Sequence, residues 1–281
     1  MKKKNMIGIV LILATLICVY GGISVRSSAP ETAETISNAV YVSDGKVHPE
    51  NEGKVVIVPG TLDAEPFVDQ ETGIKISSTV AFRYVEKLYI EEDSEKKTEY
   101  WEWKTDAIAF GGEKKVLAPN VSLGEFSVAE ELIQTLTTNK KRTVYDEKEL
   151  EQMGWRTFTD NGCTYLYQGD RMPRNEDGID SVNTWIDKYA YQDYVGTYRV
   201  AYAEMDGSPD CTIVALQRNG RLERVPDVVL RALHSGHLTQ TEILEYETSS
   251  AKGGAVISYV LAVAFLGAEV FLLIKKEKKN S

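Results

Sequence analysis

The chain has 281 residues, with 32 Lys and Arg against 42 Asp and Glu, a formal net charge of −10 and three cysteines. Such acidity excludes a nucleic-acid binder or a protein drawn to anionic lipid by its overall charge. Three cysteines exclude a disulfide framework.

Lys2, Lys3 and Lys4 precede an uncharged run from Asn5 to Val25, most apolar from Met6 to Tyr20. Lysines beside an apolar run mark the cytoplasmic side of a span. Residues 1–5 therefore read as a cytoplasmic tail and 6–23 as a first transmembrane helix. Gly21 to Ala29 supply the small residues of a cleaved signal peptide. A retained anchor fits better, because the run is long and no small-x-small site lies directly behind it. Residues 24–45 are small and polar, suiting a linker or short helix.

The composition changes at residue 46, and 46–240 reads as a β-rich domain with a few packed helices. His48-Pro49-Glu50-Asn51-Glu52-Gly53 is a turn-forming cluster leading into Lys54 to Val58, a buried strand expected to end at Pro59-Gly60. Val80 to Ile90 alternates, with Val80, Phe82, Tyr84, Leu88 and Ile90 assigned to the buried face and Arg83, Lys87 and Glu91 to solvent. With Glu99 to Lys104 it forms a hairpin whose tip is the charged loop Glu91 to Lys97, and Trp101 and Trp103 read as core. Ser122 to Leu136 has near-helical spacing of Leu123, Phe126, Leu132, Ile133 and Leu136, which predicts a helix on the sheet. Asp146 to Met153 predicts a second short helix, and Trp155 to Tyr167 a strand pair about Asp160-Asn161-Gly162. Val195 to Met205 and Cys211 to Gln217 predict two strands joined at Asp206 to Pro209. After Pro226, Val228 to Leu233 and then Ile243 and Leu244 suggest helices returning to the membrane.

Residues 241–252 form a juxtamembrane segment whose Ser249 to Gly254 reads as a flexible joint. Residues 253–274 carry a single charge and reach ~33 Å as a helix, enough to span a bilayer. The lysines of the tail 275–281 put this end in the cytoplasm as well. The body between the spans holds 25 Lys and Arg against 40 Asp and Glu, near −15. The expected architecture is thus α+β, a β-rich extracytoplasmic domain held between an N-terminal and a C-terminal transmembrane helix. Short lysine-rich tails point to the plasma membrane of a bacterium, the alternative being the endoplasmic reticulum or inner nuclear membrane of a eukaryote.

His48 to Val56 followed by Gly60-Thr61-Leu62 resembles the hallmark segment of the transmembrane protein 43 (LUMA) family. Ala81 to Tyr89 is similar to its R-x-V-E-x-Y-Q-W stretch, and Tyr100-Trp101-Glu102-Trp103 to its Trp-containing second strand. Val195 to Val200 resembles its G-D-x-R-V strand and Val214 to Gly220 its I-A-x-Q-R-G strand. Two departures stand out. Thr197 replaces an acidic residue, and one C-terminal span stands where animal members carry several. The resemblance implies a membrane-organising scaffold, with a link to lipid metabolism.

Chemistry-bearing clusters are few. His48, Glu50 and Glu52 could hold a cation or act as acid and base, but in a surface turn they are ordinarily solvated. His234 and His237 lack the further ligands of a zinc site. Arg174 to Asp180 fails the calcium-loop spacing. With no phosphate loop, dinucleotide fingerprint or G-x-S-x-G, no catalytic residue, cofactor or metal is expected. Cys163 and Cys211 form one disulfide or remain two buried thiols. Glu269 is a carboxylate within a span and therefore a candidate by default. With Ala264 and Ala268 it offers a helix-packing or self-association face. The expected partners are the lipid bilayer and a second copy of the chain or other membrane and envelope proteins, with no nucleic acid. The function expected is non-enzymatic, against the alternatives of an oligomeric channel or transporter subunit and a membrane-anchored hydrolase.

Overall fold

The computed structural model describes residues 3–93, 98–160, 162–168, 196–205 and 209–277, with 3–9, 90–101, 160 and 269–277 described through their backbone. The expected loop Arg174 to Asp180, the turn at 206–208, the tip at 94–97 and the side chains of Trp101 and Glu269 lie outside the described residues. The chain divides into two units, residues 1–60 with 211–281, and residues 61–210.

The first unit is built on two long helices, Lys3–Asn38 and Gln240–Glu277. Both are long and apolar enough to cross a membrane. At 1.5 Å per residue they reach ~54 and ~57 Å, well beyond a ~30 Å hydrocarbon core. Gly22 faces Tyr259, Val25 faces Gly254, and Ile36 packs with Ile243, so the pair is antiparallel. The less exposed positions of the first helix, Leu11, Thr15, Cys18, Gly22, Val25, Ala29, Thr32 and Ile36, alternate in steps of four and three. That 3.5-residue repeat is the seam of two helices packed side by side. Outside the seam, Leu13, Ile17, Ile23, Val256, Val260 and Val263 are exposed. A helix apolar on every face belongs in lipid.

Of the linker or short helix expected over residues 24–45, the structure has helix as far as Asn38, while the joint expected at Ser249 to Gly254 is helical rather than flexible. Small residues there permit close approach of the two backbones, and that tertiary contact outweighs their weak helix propensity. The second helix starts at a capping box: Glu242 accepts from the Thr239 backbone N–H at 2.8 Å, and Thr239 Oγ1 accepts from Glu242 N–H at 3.3 Å. Gln240 Nε2, 2.7 Å from the Ile36 carbonyl and 3.1 Å from that of Ser37, donates to the carbonyls where the first helix ends.

The outer ends of both helices are rooted in a sheet. Val40–Tyr41 runs parallel to Val56 and Ile57, and Asp210–Arg218 pairs with Arg221–Glu223 and Leu233–Ser235. Ile36, Ala39, Ile57, Val214 and Ile243 form the shared core. Leu233 thus lies on a strand, and only Ile243 and Leu244 of the expected returning helices are helical. The strand Val55–Ala64 continues through Pro59-Gly60 instead of stopping there. Its early part pairs with Val40–Tyr41 and its late part with Val121–Leu123. Pro59, which has no N–H, therefore sits where the partner changes.

In the second unit the strands Arg156–Asp160, Cys163–Tyr167, Tyr198–Glu204, Val80–Asp93 and Thr98–Thr105 lie in that antiparallel order. Ile74, Ala81, Val85, Trp155, Leu166 and Val200 are among its buried core. The expected helix over 122–136 is instead a hairpin, Val121–Leu123 with Phe126–Val128, followed by one helical turn, Glu130–Ile133. Gly124 at φ +59 supplies the left-handed residue that a two-residue hairpin loop requires. The short helix Glu147–Gln152 forms as expected, with Asp146 capping the N–H groups of Lys148 and Glu149.

The face assignment is reversed over residues 81–85 of Val80–Asp93, where Ala81, Arg83 and Val85 are buried and Tyr84 is exposed, whereas Val80 and Leu88 are buried as expected. The buried ion pair of Arg83 with Asp69 inverts the pattern. Trp103 is likewise not core; it is partly exposed and stacks on an arginine.

Candidate functional site

Stretches that carry the family resemblance are brought into contact with one another, and the contacts are architectural. In the first unit, His48 carbonyl accepts from Gln217 Nε2 at 2.8 Å, and Gly53 N–H donates to Gln217 carbonyl at 2.9 Å. Gln217 N–H in turn donates to Lys54 carbonyl at 3.0 Å, and Glu52 accepts from Asn219 N–H at 3.0 Å. Asn219 and Gly220 both have positive φ, the conformation of a tight hairpin turn between Arg218 and Arg221. The segment from His48 to Gly53 is thus bound along the strand carrying Gln217. Pro49, Glu50 and Asn51 form a single 3-10 turn, with Asn51 buried.

The three polar side chains of that segment do not converge. His48 Nε2 lies 3.2 Å from Asp44 Oδ1, its Nδ1 lies 3.7 Å from Glu50, and Glu52 is turned to Asn219. Asp44, which the sequence did not single out, is held below the usual carboxylate range by the Lys46 backbone N–H and then by His48. His48 and Asp44 are both solvent-exposed, so the pair is a surface contact.

In the second unit, Arg199 Nε donates to Glu86 Oε2 at 2.6 Å. Its guanidinium lies 4.3 Å from the Trp103 ring and 4.0 Å from the Tyr165 ring. Burial pushes the Tyr165 phenol up to about 12. Glu86, Trp103 and Arg199 come from three separate stretches of the family resemblance. Thr197 contributes through its backbone, accepting from Leu88 N–H at 3.0 Å.

Beneath the same sheet, Arg83 Nη1 donates to Asp69 Oδ1 at 2.6 Å, both residues almost fully buried. Tyr202 hydroxyl donates to Asp69 at 2.7 Å and meets Thr72 Oγ1 at 2.6 Å, while Trp155 Nε1 donates to Thr72 carbonyl at 2.9 Å. Arg83 Nε donates to Gly112 carbonyl at 3.1 Å. Phe110, Gly111 and Gly112 are all left-handed there, and a Cβ on Gly111 would come within 2.9 Å of Arg83 Nη2. Burial drives the Tyr202 phenol far above its ordinary value. Charge pairing inside a core has no sequence signal, because Asp69 and Arg83 both look like surface residues.

A different environment lies between the two long helices, around Val25 and Gly254. A cleft of about 270 Å³ is lined by Val25, Ser28 and Thr32 of the first helix, Glu247, Thr248 and Gly254 of the second, and their small neighbours. Glu247 Oε1 is buried without a hydrogen bond, and so is His234 Nε2, 3.7 Å away. His234 is held below its ordinary value by burial, then by Arg231. Gly236 at φ +79 turns the chain between His234 and His237.

Ala264 and Ala268 are exposed on the second helix, whereas the seam with the first uses Ala255 and Ala262. No disulfide joins Cys163 and Cys211, which are buried on strands of different units. Burial raises the Cys163 thiol, disfavouring its thiolate.

Compared with known proteins, the family model described as Transmembrane protein 43 matches residues 89–275. That range includes Trp103, Arg199, Gln217, Glu247 and the second span, and begins after the segment from His48 to Gly53. Neither a curated protein nor a solved structure matches the chain.

Proposed function

The chain belongs to the Transmembrane protein 43 family, and from that premise we propose that it is a non-enzymatic membrane organiser that self-associates through its second span. The observation that carries this reading is the division of labour on that helix. Ala255 and Ala262 are consumed by the first helix, while Ala264, Gly267 and Ala268 remain exposed on the opposite side. Small residues on a lipid-facing surface let a second helix approach closely. The domain beyond the membrane, outside the cytoplasm by the lysine flanks, is then presented in pairs to envelope partners.

Two further observations support this over catalysis or conduction. Polar residues of the family stretches are committed to holding strands together, as Arg199, Glu86 and Gln217 show. The outward faces of both spans carry Leu13, Ile17, Val256, Val260 and Val263 rather than a polar stripe that could line water.

The test is oxidative cross-linking in native membranes of Ala264→Cys in a Cys18→Ser background. Self-association predicts a disulfide-linked dimer that Ala268→Leu diminishes, while Leu266→Cys, exposed but on the other side of the helix from Ala264, gives little. Equal and weak cross-linking at Leu266 and Ala264 would overturn the proposal.

A further inference from the structure

The cleft between the helix ends is chemically one-sided. Ser28 Oγ donates to Val25 carbonyl, Thr32 Oγ1 to the carbonyls of Ser28 and Val229, and Thr248 Oγ1 to Leu244 carbonyl. Their protons are therefore spent on backbone, and these oxygens face any occupant as acceptors. Among the described residues lining the cleft, the charged one is Glu247; its Oε1 is buried 3.7 Å from His234 Nε2, its carboxylate accepts from the Arg231 backbone N–H, and burial holds it above the usual carboxylate range. No Lys, Arg or His is among those lining residues. A site made of acceptors and one carboxylate repels anions and suits a cation that carries several N–H donors.

Its depth identifies where such a cation comes from. Val25 and Gly254 lie within two residues of the span borders at 23 and 253, and Glu247 lies six residues, or ~9 Å of helix, beyond Gly253. The headgroup layer occupies roughly 5–7 Å on each side of the hydrocarbon core. The cleft thus opens at headgroup depth and ends at the carboxylate just above it. Small residues keep it open: Ala29, Ala33, Ser250 and Ala251 line it where larger side chains would fill it.

We propose that this cleft binds the primary ammonium of a lipid headgroup, with Glu247 as its counter-ion and the hydroxyl oxygens as further acceptors. The proposal rests on membrane anchorage alone and is independent of self-association. A trimethylammonium headgroup has no N–H to offer, so phosphatidylethanolamine is selected over phosphatidylcholine. Phosphatidylglycerol is excluded by charge.

The experiment is native mass spectrometry of the full chain in detergent, with equal amounts of the three lipids. Phosphatidylethanolamine is expected to be retained preferentially, and Glu247→Gln to reduce that retention about tenfold, the loss of one charge-assisted hydrogen bond. Ala251→Leu, which fills the cleft and leaves the carboxylate in place, is expected to reduce it similarly. Circular dichroism confirms that both variants keep the fold. Equal retention of the three lipids, or undiminished retention by Glu247→Gln, overturns the proposal. A thermal-shift arm with free ethanolamine or N-acetyl-lysine amide distinguishes the source of the amine. Stabilisation by either that matches phosphatidylethanolamine and is lost in Glu247→Gln would overturn the lipid assignment.

Discussion

Arg199 and Glu86 are direct partners in the antiparallel register of their strands, and a 2.6 Å hydrogen bond from Nε to Oε2 joins them. Because Trp103 and Tyr165 clamp the guanidinium from its faces, the four residues form one unit tying their strands together. Arg199→Lys keeps the charge but loses the planar stack, and is expected to cost about 1–2 kcal/mol. Urea unfolding followed by tryptophan fluorescence measures this. An unchanged midpoint would show that the stack is incidental.

The buried pair Arg83 and Asp69 makes an asymmetric prediction. Asp69→Ala leaves a guanidinium uncompensated in the core, which costs about 3–5 kcal/mol, whereas replacing both partners by apolar groups is far milder. The double variant Asp69→Ala with Arg83→Met is therefore expected to be more stable than Asp69→Ala alone. Equilibrium denaturation of the three proteins checks the order.

These two sites mark the limit of what the sequence shows. Both spans are legible because an apolar run of bilayer length with lysines at its end fits a membrane helix and little else. The α+β class, the hairpin from Val80 and the helix Glu147–Gln152 follow from local pattern and capping. Arg83 falls on the wrong face of the alternation because its partner sits 14 residues earlier on another segment, and pairing in space overrides the pattern. The turn at Gly124 is hidden because Leu123, Phe126 and Val128 fit helical spacing as well as a short hairpin. The continuity of the second helix through Gly253 and Gly254 depends on packing against Val25, which no local propensity encodes. The cleft beside Glu247 is not legible either, since its walls come from residues more than 190 positions apart.

The helix seam can be tested by size. A Cβ at Gly22 would lie 3.0 Å from the Tyr259 ring and 3.3 Å from Ser258 Cβ. Gly22→Leu is therefore expected to force the helices apart. Val25 Cγ1 is 3.7 Å from a Cβ built at Gly254, so the two positions are in van der Waals contact across the seam. The pair Val25→Cys and Gly254→Cys should cross-link within one chain, and adding Gly22→Leu should abolish that. Cross-linking that survives would place the seam elsewhere.

Stability should depend on pH through His234. Facing it are Glu247 Oε1 at 3.7 Å, the Tyr246 ring at 5.2 Å and the Arg231 charge. Burial and Arg231 lower its folded pKa below the unfolded value near 6.5, so the unfolded chain binds the proton more readily. Stability is then full above pH ~6.5 and falls as the pH drops from there through the folded value. His234→Gln should flatten the denaturant midpoint between pH 7 and pH 5. An equal acid slope in wild type and variant would assign the effect to other groups.

The proposed topology crosses the membrane twice and holds the domain on the side opposite both chain ends. In a Cys18→Ser background, with Cys163 and Cys211 buried, single cysteines at exposed Ser127 and at Ser281 report the two sides to a membrane-impermeant maleimide. Labelling of Ser127→Cys in intact cells, with Ser281→Cys reacting only after permeabilisation, is the predicted result. Equal labelling of both positions in intact cells, or protection of Ser127→Cys with Ser281→Cys reactive, would contradict it.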